Sequence, residues 1–264
     1  MRYFLIIFGA VFFMSSCSEE QIKEPASKAT PTLVQVSVID ALLQGFYDGF
    51  MSLDELKSYG GYGIGTFHAL DGEMIVLNDT VFQVRADGDV YLPADNETTP
   101  FAAVTPYLAD TSYVLNNVDF TFFDENFNTY FPTPNIFYLV LLKGQFSYVH
   151  TRSVPAQVKP YPPLADVTVN QPEFEFENVY GDIVGFYCPA YAKGINVTGF
   201  HLHFLDKNRQ KGGHIIDFTL ESGTMELGYL LDYRLILPSG GDFYGGDFTI
   251  DRSDELEEVE GGTN

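Results

Sequence analysis

The sequence GFHLHFLD at residues 199–206 alternates in the manner of a β-strand. Because successive residues of a strand face opposite sides, His201 and His203 would project together, and the leucine between them would face the other way. A polar segment then leads to the sequence KGGH, which ends at His214. A hairpin turn within residues 206–213 would bring that third histidine alongside the pair.

Three imidazoles that converge on one point are a known arrangement for catalytic zinc, in which the remaining coordination positions stay open to water or substrate. The spacing alone would also fit histidines that lie on the surface or are bonded within the core. A cupin also uses a His-x-His pair but places a glutamate a few residues after it, and residues 206–209 contain none.

The rest of the second half has strand-like composition interrupted by turn signals, which predicts an antiparallel sheet or barrel. The expected strands are residues 173–179, 182–187, 195–205, 214–220, 225–231 and 234–237.

The first half combines helical spacing with hairpin signals. Apolar residues within 38–50 follow one helical face, and a capping box formed by Ser52 and Glu55 predicts a second short helix over 53–58. Further expectations are hairpin turns at residues 78–79 and 87–88, a strand at 120–123, a helix beginning near 135, a strand at 146–153 and an extended proline-rich loop at 155–163.

The N-terminus has the pattern of an exported bacterial lipoprotein. Arg2 precedes an apolar run over residues 3–14, which is too short to span a membrane, and small residues then precede Cys17. We therefore expect residues 1–16 to be a signal peptide, Cys17 to carry lipid and 17–32 to be a flexible tether on the periplasmic or cell-surface side. The alternative is an ordinary secretory signal that contains a chance cysteine.

Net charge and cysteine content restrict the possible partners and disulfides of the protein. The net charge is −22, which argues against nucleic acid as a partner, because phosphates require basic groups. Any site for an anion must therefore be built locally. If Cys17 is lipidated, Cys188 has no partner for a disulfide, and we expect it to be a packed small residue.

Three further side chains could act with the histidines. Glu73 adjoins an apolar strand, and Arg152 follows another, where its planar fork would suit a carboxylate. Their alternatives are a solvated strand end and a structural ion pair. Glu260 lies in an acidic segment near the end of the chain, which by itself would suggest a frayed tail.

The chain resembles the α-acetolactate decarboxylase family over about residues 33–260. The resemblance rests on YDG at 47–49, GIGTF at 63–67, DGEM at 71–74, PFA at 100–102, HTR at 150–152, PYPPL at 160–164, GF at 185–186, PAY at 189–191, GFHLHF at 199–204 and GGH at 212–214. The histidine and Gly-Glu-Met segments are highly specific when they occur together.

The resemblance implies an α+β fold of two tightly packed subdomains, at about residues 33–165 and 166–264. The first would hold a mixed sheet with helices, and the second an antiparallel sheet or barrel that carries the metal site. The family's zinc ligands correspond to His201, His203 and His214, and its active-site residues to Thr66, Glu73, Arg152 and Glu260. A homodimer is also implied.

The implied reaction is zinc-dependent decarboxylation of 2-acetolactate to (R)-acetoin. It would pass through a metal-stabilised enediolate that is protonated on one face, by either Glu73 or Glu260. The alternative is a non-catalytic zinc- or ligand-binding surface lipoprotein with the same fold.

Overall fold

A computed structural model describes residues 31–260, and β-strands account for most of the regular structure. The predicted signal peptide, Cys17 and all but the last two residues of the predicted tether lie outside the described residues. Within residues 31–260, none of the helices has the length and apolar character needed to cross a membrane. In chain order the strands are β1 (Thr32–Val36), β2 (Met51–Ser52), β3 (Tyr62–Thr66), β4 (Glu73–Leu77), β5 (Thr80–Val84), β6 (Val90–Tyr91), β7 (Thr98–Thr99), β8 (Ala102–Thr105), β9 (Thr111–Asp119), β10 (Phe137–Arg152), β11 (Glu173–Cys188), β12 (Gly199–Asp206), β13 (Gly212–Leu230) and β14 (Asp232–Ile236).

The α-helices are short and lie between the strands or at the end of the described chain. They are α1 (Ile39–Leu43), α2 (Leu53–Lys57), α3 (Thr121–Glu125), α4 (Phe127–Tyr130), α5 (Leu164–Thr168) and α6 (Ser253–Glu260). Single 3₁₀ turns occupy His68–Leu70, Ala190–Ala192 and Gly241–Gly245.

The first large sheet is mixed and has the strand order β14-β1-β8-β3-β4-β5-β6. β1 runs parallel to β14, and the remaining neighbours are antiparallel. Tight turns link consecutive strands: Asn78 and Asp79 both have positive φ between β4 and β5, as the predicted hairpin requires. A small separate sheet pairs β2 with β7.

The second large sheet is antiparallel and almost closes on itself. β10 pairs with both β11 and β13, and β12 also pairs with both of those strands, while β9 continues the sheet along the later part of β13. Gly144 of β10 lies opposite Gly181 and Gly223 on the two neighbouring strands. A Cβ atom at Gly144 would lie 2.3 Å from the carbonyl oxygen of Ser222, so the strands can approach this closely only because a side chain is absent.

Two apolar cores position the sheets. The interior of the nearly closed sheet is filled by aromatic and aliphatic side chains that include Phe146, Phe204 and Phe218. A second cluster joins the two sheets, because Ile64 and Ile75 of the first sheet pack with Phe186 of the second. The predicted fold class is therefore confirmed, with a mixed N-terminal sheet, short helices and a C-terminal antiparallel sheet.

Sheet membership does not follow the predicted subdomain boundary near residue 165. β9 and β10 precede that residue but belong to the second sheet, whereas β14 follows it and belongs to the first. The division of the chain into subdomains at that point stays a prediction.

Several local predictions were correct. α2 begins after Ser52, whose side-chain oxygen accepts a hydrogen bond from the backbone N–H of Glu55, as the capping box predicted. Asp87 and Gly88 form the expected turn, in which the Gly88 N–H bonds to the Arg85 carbonyl. The segment over residues 155–163 contains no helix or strand.

Two predictions of element type were wrong. Residues 121–123 begin α3 and do not form a strand, and just before this helix Asp119 Oδ1 accepts the Phe122 N–H at 3.0 Å, which favours a turn over a continued strand. The helix expected near residue 135 is the start of β10. That strand has partners on both sides, so its apolar residues form a continuous run that resembles a buried helix in sequence.

Other predictions erred in length. The helix expected over residues 38–50 ends at Leu43, because Gly45 adopts φ +84° two residues later and turns the chain. Four of the expected strands form only two strands in the structure. β11 and β13 each continue through the break that the sequence suggested, and Gly181 and Gly223 lie where we expected turns.

The turn between β12 and β13 depends on one buried carboxylate. Asp206 is 6% exposed, and its two oxygens accept the backbone N–H groups of Asn208, Gln210 and Lys211 at 3.0, 2.6 and 2.8 Å. This turn fixes the register in which His203 lies opposite His214.

Replacing Asp206 with alanine should lower the free energy of unfolding by about 3 kcal/mol, because three N–H groups lose a charged acceptor. Urea unfolding would measure the loss. Asp206→Asn keeps one acceptor oxygen and should lose roughly half as much. Equal stability of the alanine variant and the unchanged protein would contradict this role.

Candidate active site

Strand pairing brings the three predicted histidines together. His201 and His203 project from the same side of β12, and His203 lies directly opposite His214 of β13. One ring nitrogen from each lies within 4.8 Å of the others, and all three side chains are buried. Leu202, on the opposite face, belongs to the core inside the second sheet, as the strand periodicity predicted.

The local environment keeps these imidazoles neutral. Burial, together with the nearby Arg152 guanidinium, lowers the pKa of His201 to about 3. Burial also holds the pKa of His203 and His214 well below the ordinary value, helped by the neighbouring histidines and Arg152. Neutral imidazole is the form that binds a metal ion.

Two ring nitrogens of the group have unfilled hydrogen-bonding capacity. His203 Nδ1 lies 2.9 Å from the Met74 carbonyl oxygen, which requires the proton on Nδ1 and leaves a lone pair on Nε2. That Nε2, like Nδ1 of His201, is buried without a hydrogen-bond partner. Buried polar atoms of this kind are rare without a ligand, so the three histidines fit a metal ion.

Glu73 enters the site as the first residue of β4, opposite Thr66 of β3. Its Oε2 lies 3.6 Å from His203 Nε2. Burial raises the pKa of Glu73 to about 8, with Arg152 opposing the shift and Glu260 adding to it. The carboxyl group is therefore set up to hold a proton near neutral pH.

The turn before Glu73 is locked by polar side chains. Gly72 has φ +86°, and its carbonyl accepts a hydrogen bond of 2.7 Å from Thr66 Oγ1. The buried Gln83 donates its amide N–H to the Asp71 carbonyl at 2.6 Å. Thr66 thus lines the site, but its hydroxyl proton is used to hold the backbone next to Glu73.

Arg152 lies at the end of β10, opposite His214. Its Nη2 is 3.1 Å from His214 Nε2 and 3.9 Å from Glu260 Oε2, and its Nη1 donates to the carbonyl oxygen of Val259. The side chain is buried. The guanidinium therefore links the sheet that carries the histidines to the last helix of the described chain.

Glu260 is part of this site and not of a frayed tail. It ends α6, and its Oε2 lies 3.4 Å from His214 Nε2. Burial raises its pKa, and Arg152 opposes the shift. The neighbouring Glu257 and Glu258 are exposed, so Glu260 is the glutamate of this segment that the structure brings to the histidines.

Apart from His203, these side chains line one pocket of about 460 Å³, part of which is open to solvent. Its walls also contain ten residues that the sequence did not assign to a site. Most of them are apolar, and five lie in α1, α5 and α6. The ten residues are Ile39, Leu42, Gly65, Leu70, Phe101, Val154, Leu164, Thr168, Gln171 and Val259. The apolar spacing of α1 was the one available signal, and it indicated a buried helix rather than a pocket wall.

Cys188 does not contribute to the pocket. It is a free thiol buried between the two sheets, as expected of a packed small residue, and burial raises its pKa. The candidate site combines neutral nitrogen ligands, one buried and one largely buried carboxyl group, and one guanidinium. Such a set can hold a metal ion, bind a small anion and transfer a proton.

Comparison with known proteins agrees with this geometry. The family model described as Alpha-acetolactate decarboxylase matches residues 33–250, so Glu260 lies just beyond the matched range. A protein from Methanosarcina mazei with that name is 43% identical over 92% of this chain and 84% of its own length. One from Bacillus licheniformis is 38% identical over 94% of this chain and 99% of its own length.

A solved structure also resembles this chain in both sequence and fold. The crystal structure of alpha-acetolactate decarboxylase from Bacillus subtilis strain 168 superimposes with a TM-score of 0.85 at 37% identity, and it covers 88% of this chain and 100% of that chain. The match of fold and sequence over most of the length leaves one conclusion. The chain belongs to the alpha-acetolactate decarboxylase family.

Proposed function

We propose that this protein converts 2-acetolactate into acetoin and CO2, with zinc bound by His201, His203 and His214. The observation that carries the proposal is the buried histidine group, two members of which line one pocket with two carboxyl groups and a guanidinium. Relatives that bear the name of this activity match about nine tenths of the chain.

The donor set favours zinc. Three neutral imidazoles that leave a coordination position open are characteristic of catalytic zinc, whereas magnesium and calcium prefer oxygen ligands. When bound, zinc would supply a Lewis acid that stabilises negative charge on substrate oxygens. The protein's own residues would perform the remaining tasks.

Arg152 would bind the substrate carboxylate. It is the one guanidinium among the residues that line the pocket, and its hydrogen bond to the Val259 carbonyl fixes its position. A planar guanidinium matches a carboxylate with two parallel hydrogen bonds. In a chain with a net charge of −22, this local cation provides the attraction that the overall charge does not.

Decarboxylation then breaks the bond between C2 and the carboxyl carbon. The electron pair moves toward the neighbouring ketone, CO2 leaves, and an enediolate remains. The apolar wall formed by Leu42, Leu164 and Val259 excludes water from this side of the pocket and strengthens the electrostatic interactions inside it.

Acetoin forms when a proton is added to the former C2. Glu73 and Glu260 are the candidate donors, because burial favours the protonated form of both. A fixed donor delivers its proton to one face of the planar enediolate and so yields one enantiomer. We propose (R)-acetoin, as the family resemblance implies.

The competing proposal is a surface lipoprotein that binds zinc or a ligand without catalysis. The presence of Glu73 and Arg152 beside the histidines favours the enzyme, because metal binding alone would not require them. The homodimer stays a prediction, which light scattering of the purified protein would test.

Purified protein should form acetoin from racemic 2-acetolactate well above the spontaneous rate, and a chelator should remove that activity. His203→Ala should lose both the metal and the activity, because a ligand is removed from a three-histidine set. Colorimetric acetoin assays and metal analysis would measure the two effects.

The matched control is His150→Ala, which removes a histidine that pairs with Glu173 at 2.9 Å and lies outside the pocket. It should retain zinc and activity. A folded, zinc-loaded protein that forms no acetoin would support the binding protein instead.

Replacing the proton donor should lower kcat about 10²- to 10⁴-fold and leave zinc bound. It should also make the acetoin approach a racemate, because water can protonate either face. Chiral gas chromatography of the products of Glu73→Gln and Glu260→Gln would identify the donor, with the exposed Glu258→Gln as the control. Full rate and enantiomeric purity in both variants would exclude both glutamates.

We also propose that the protein is an exported lipoprotein anchored through Cys17. The sequence around Cys17 supports this, although the residue lies outside the described part of the chain. Cells labelled with a palmitate analogue should incorporate the label into the unchanged protein and not into Cys17→Ser. Labelling of both proteins would show that the lipid is attached elsewhere, and labelling of neither would favour an ordinary secretory signal.

A further inference from the structure

The amide of Gln171 contributes to the pocket in a way that the roles described so far do not use. Gln171 lies between α5 and β11 and lines the same cavity as Glu73, Arg152 and His201. Its Oε1 atom is buried and has no hydrogen-bond partner within the described chain. A buried acceptor without a donor is uncommon in a folded protein.

Other polar side chains in the pocket have partners. The hydroxyl of Thr66 donates to Gly72, and that of Thr168 donates to the Ala165 carbonyl at 3.2 Å. Among the residues that line the cavity, only His201 and Gln171 have buried side-chain atoms without a partner. A metal ion bound by the histidines would account for an unpaired imidazole nitrogen but not for a neutral amide oxygen.

The backbone holds Gln171 at a fixed place relative to the reacting groups. Its N–H donates to the Thr168 carbonyl at 3.3 Å. The carbonyl of the following residue, Pro172, accepts the N–H of Ser153 at 3.1 Å, and Ser153 follows Arg152 directly. Gln171 is therefore tied to the end of β10, where Arg152 enters the pocket.

The chemistry of the substrate matches an unpaired acceptor. At neutral pH 2-acetolactate has one hydrogen-bond donor, the hydroxyl on C2, since its carboxylate and ketone can only accept. An amide oxygen can only accept. We propose that Gln171 Oε1 accepts a hydrogen bond from the C2 hydroxyl and selects 2-hydroxy acids, an inference that rests on the proposed function.

The proposed hydrogen bond should affect substrate binding and not the chemical step. The hydroxyl is present before the C–C bond breaks and remains in acetoin, so the hydrogen bond stabilises the bound substrate and the transition state alike. An interaction of that kind affects KM and leaves kcat nearly unchanged. In this respect Gln171 differs from Glu73 and Glu260.

The test compares two small acids that differ in one group. The acid 2-hydroxy-2-methylpropanoate carries a hydroxyl on C2, and 2,2-dimethylpropanoate has a methyl group in its place. Calorimetry would measure both dissociation constants for the zinc-loaded full chain and for Gln171→Leu. The preference for the hydroxy acid should fall roughly tenfold in the variant, as expected for one neutral hydrogen bond.

In turnover, Gln171→Leu should raise KM for 2-acetolactate roughly tenfold, with kcat and zinc content nearly unchanged. Gln145→Leu is the matched control, because it makes the same change at a glutamine of β10 that lies outside the pocket. Its KM and its preference between the two acids should stay close to those of the unchanged protein.

Two results would overturn the proposal. Equal weakening of both acids in Gln171→Leu would show that the amide N–H group contacts the carboxylate, and an unchanged preference would show no contact at all. Because the dissociation constants do not depend on turnover, a reduced preference in a protein that forms no acetoin would support hydroxyl recognition and refute the decarboxylase.

Discussion

The pairing of His203 with His214 across β12 and β13 is the contact on which the site depends. The register shared by these two strands covers three residue pairs, and Asp206 closes the turn between them. Because successive residues of a strand face opposite sides, His201 lies on the same face of β12 as His203. Because the three rings are fixed by backbone hydrogen bonds and not by flexible loops, the ligand nitrogens need little further ordering to receive an ion.

The electrostatics of the site follow from the position of the Arg152 guanidinium, which is buried among side chains that burial keeps uncharged. Burial, assisted by Arg152, lowers the pKa of the histidines, while burial raises the pKa of Glu73 and Glu260. Neutral ligands and protonated acids can thus coexist in the same pocket. In water the same side chains would titrate in the opposite order, with the acids ionised before the imidazoles lose their protons.

Local pattern predicted the parts of the fold that local interactions determine. The histidine pair on β12, the cap at Ser52 and the turn at residues 78–79 each depend on a few neighbouring residues, and each was correct. The start of β10 was missed because a strand buried on both sides lacks the alternation that distinguishes it from a helix. Gln171 carried no signal, since only the folded chain brings it to the pocket.

The strand β1 at the beginning of the described chain pairs with β14, and Thr32 lies opposite Asp232. Arg152 likewise meets the carbonyl of Val259. Such contacts join segments that are synthesised far apart in time, so the protein has a high contact order and folding must await most of its own sequence. A chain of this kind would expose the strand edges of both sheets until its last segments are available, so its folding should benefit from chaperones.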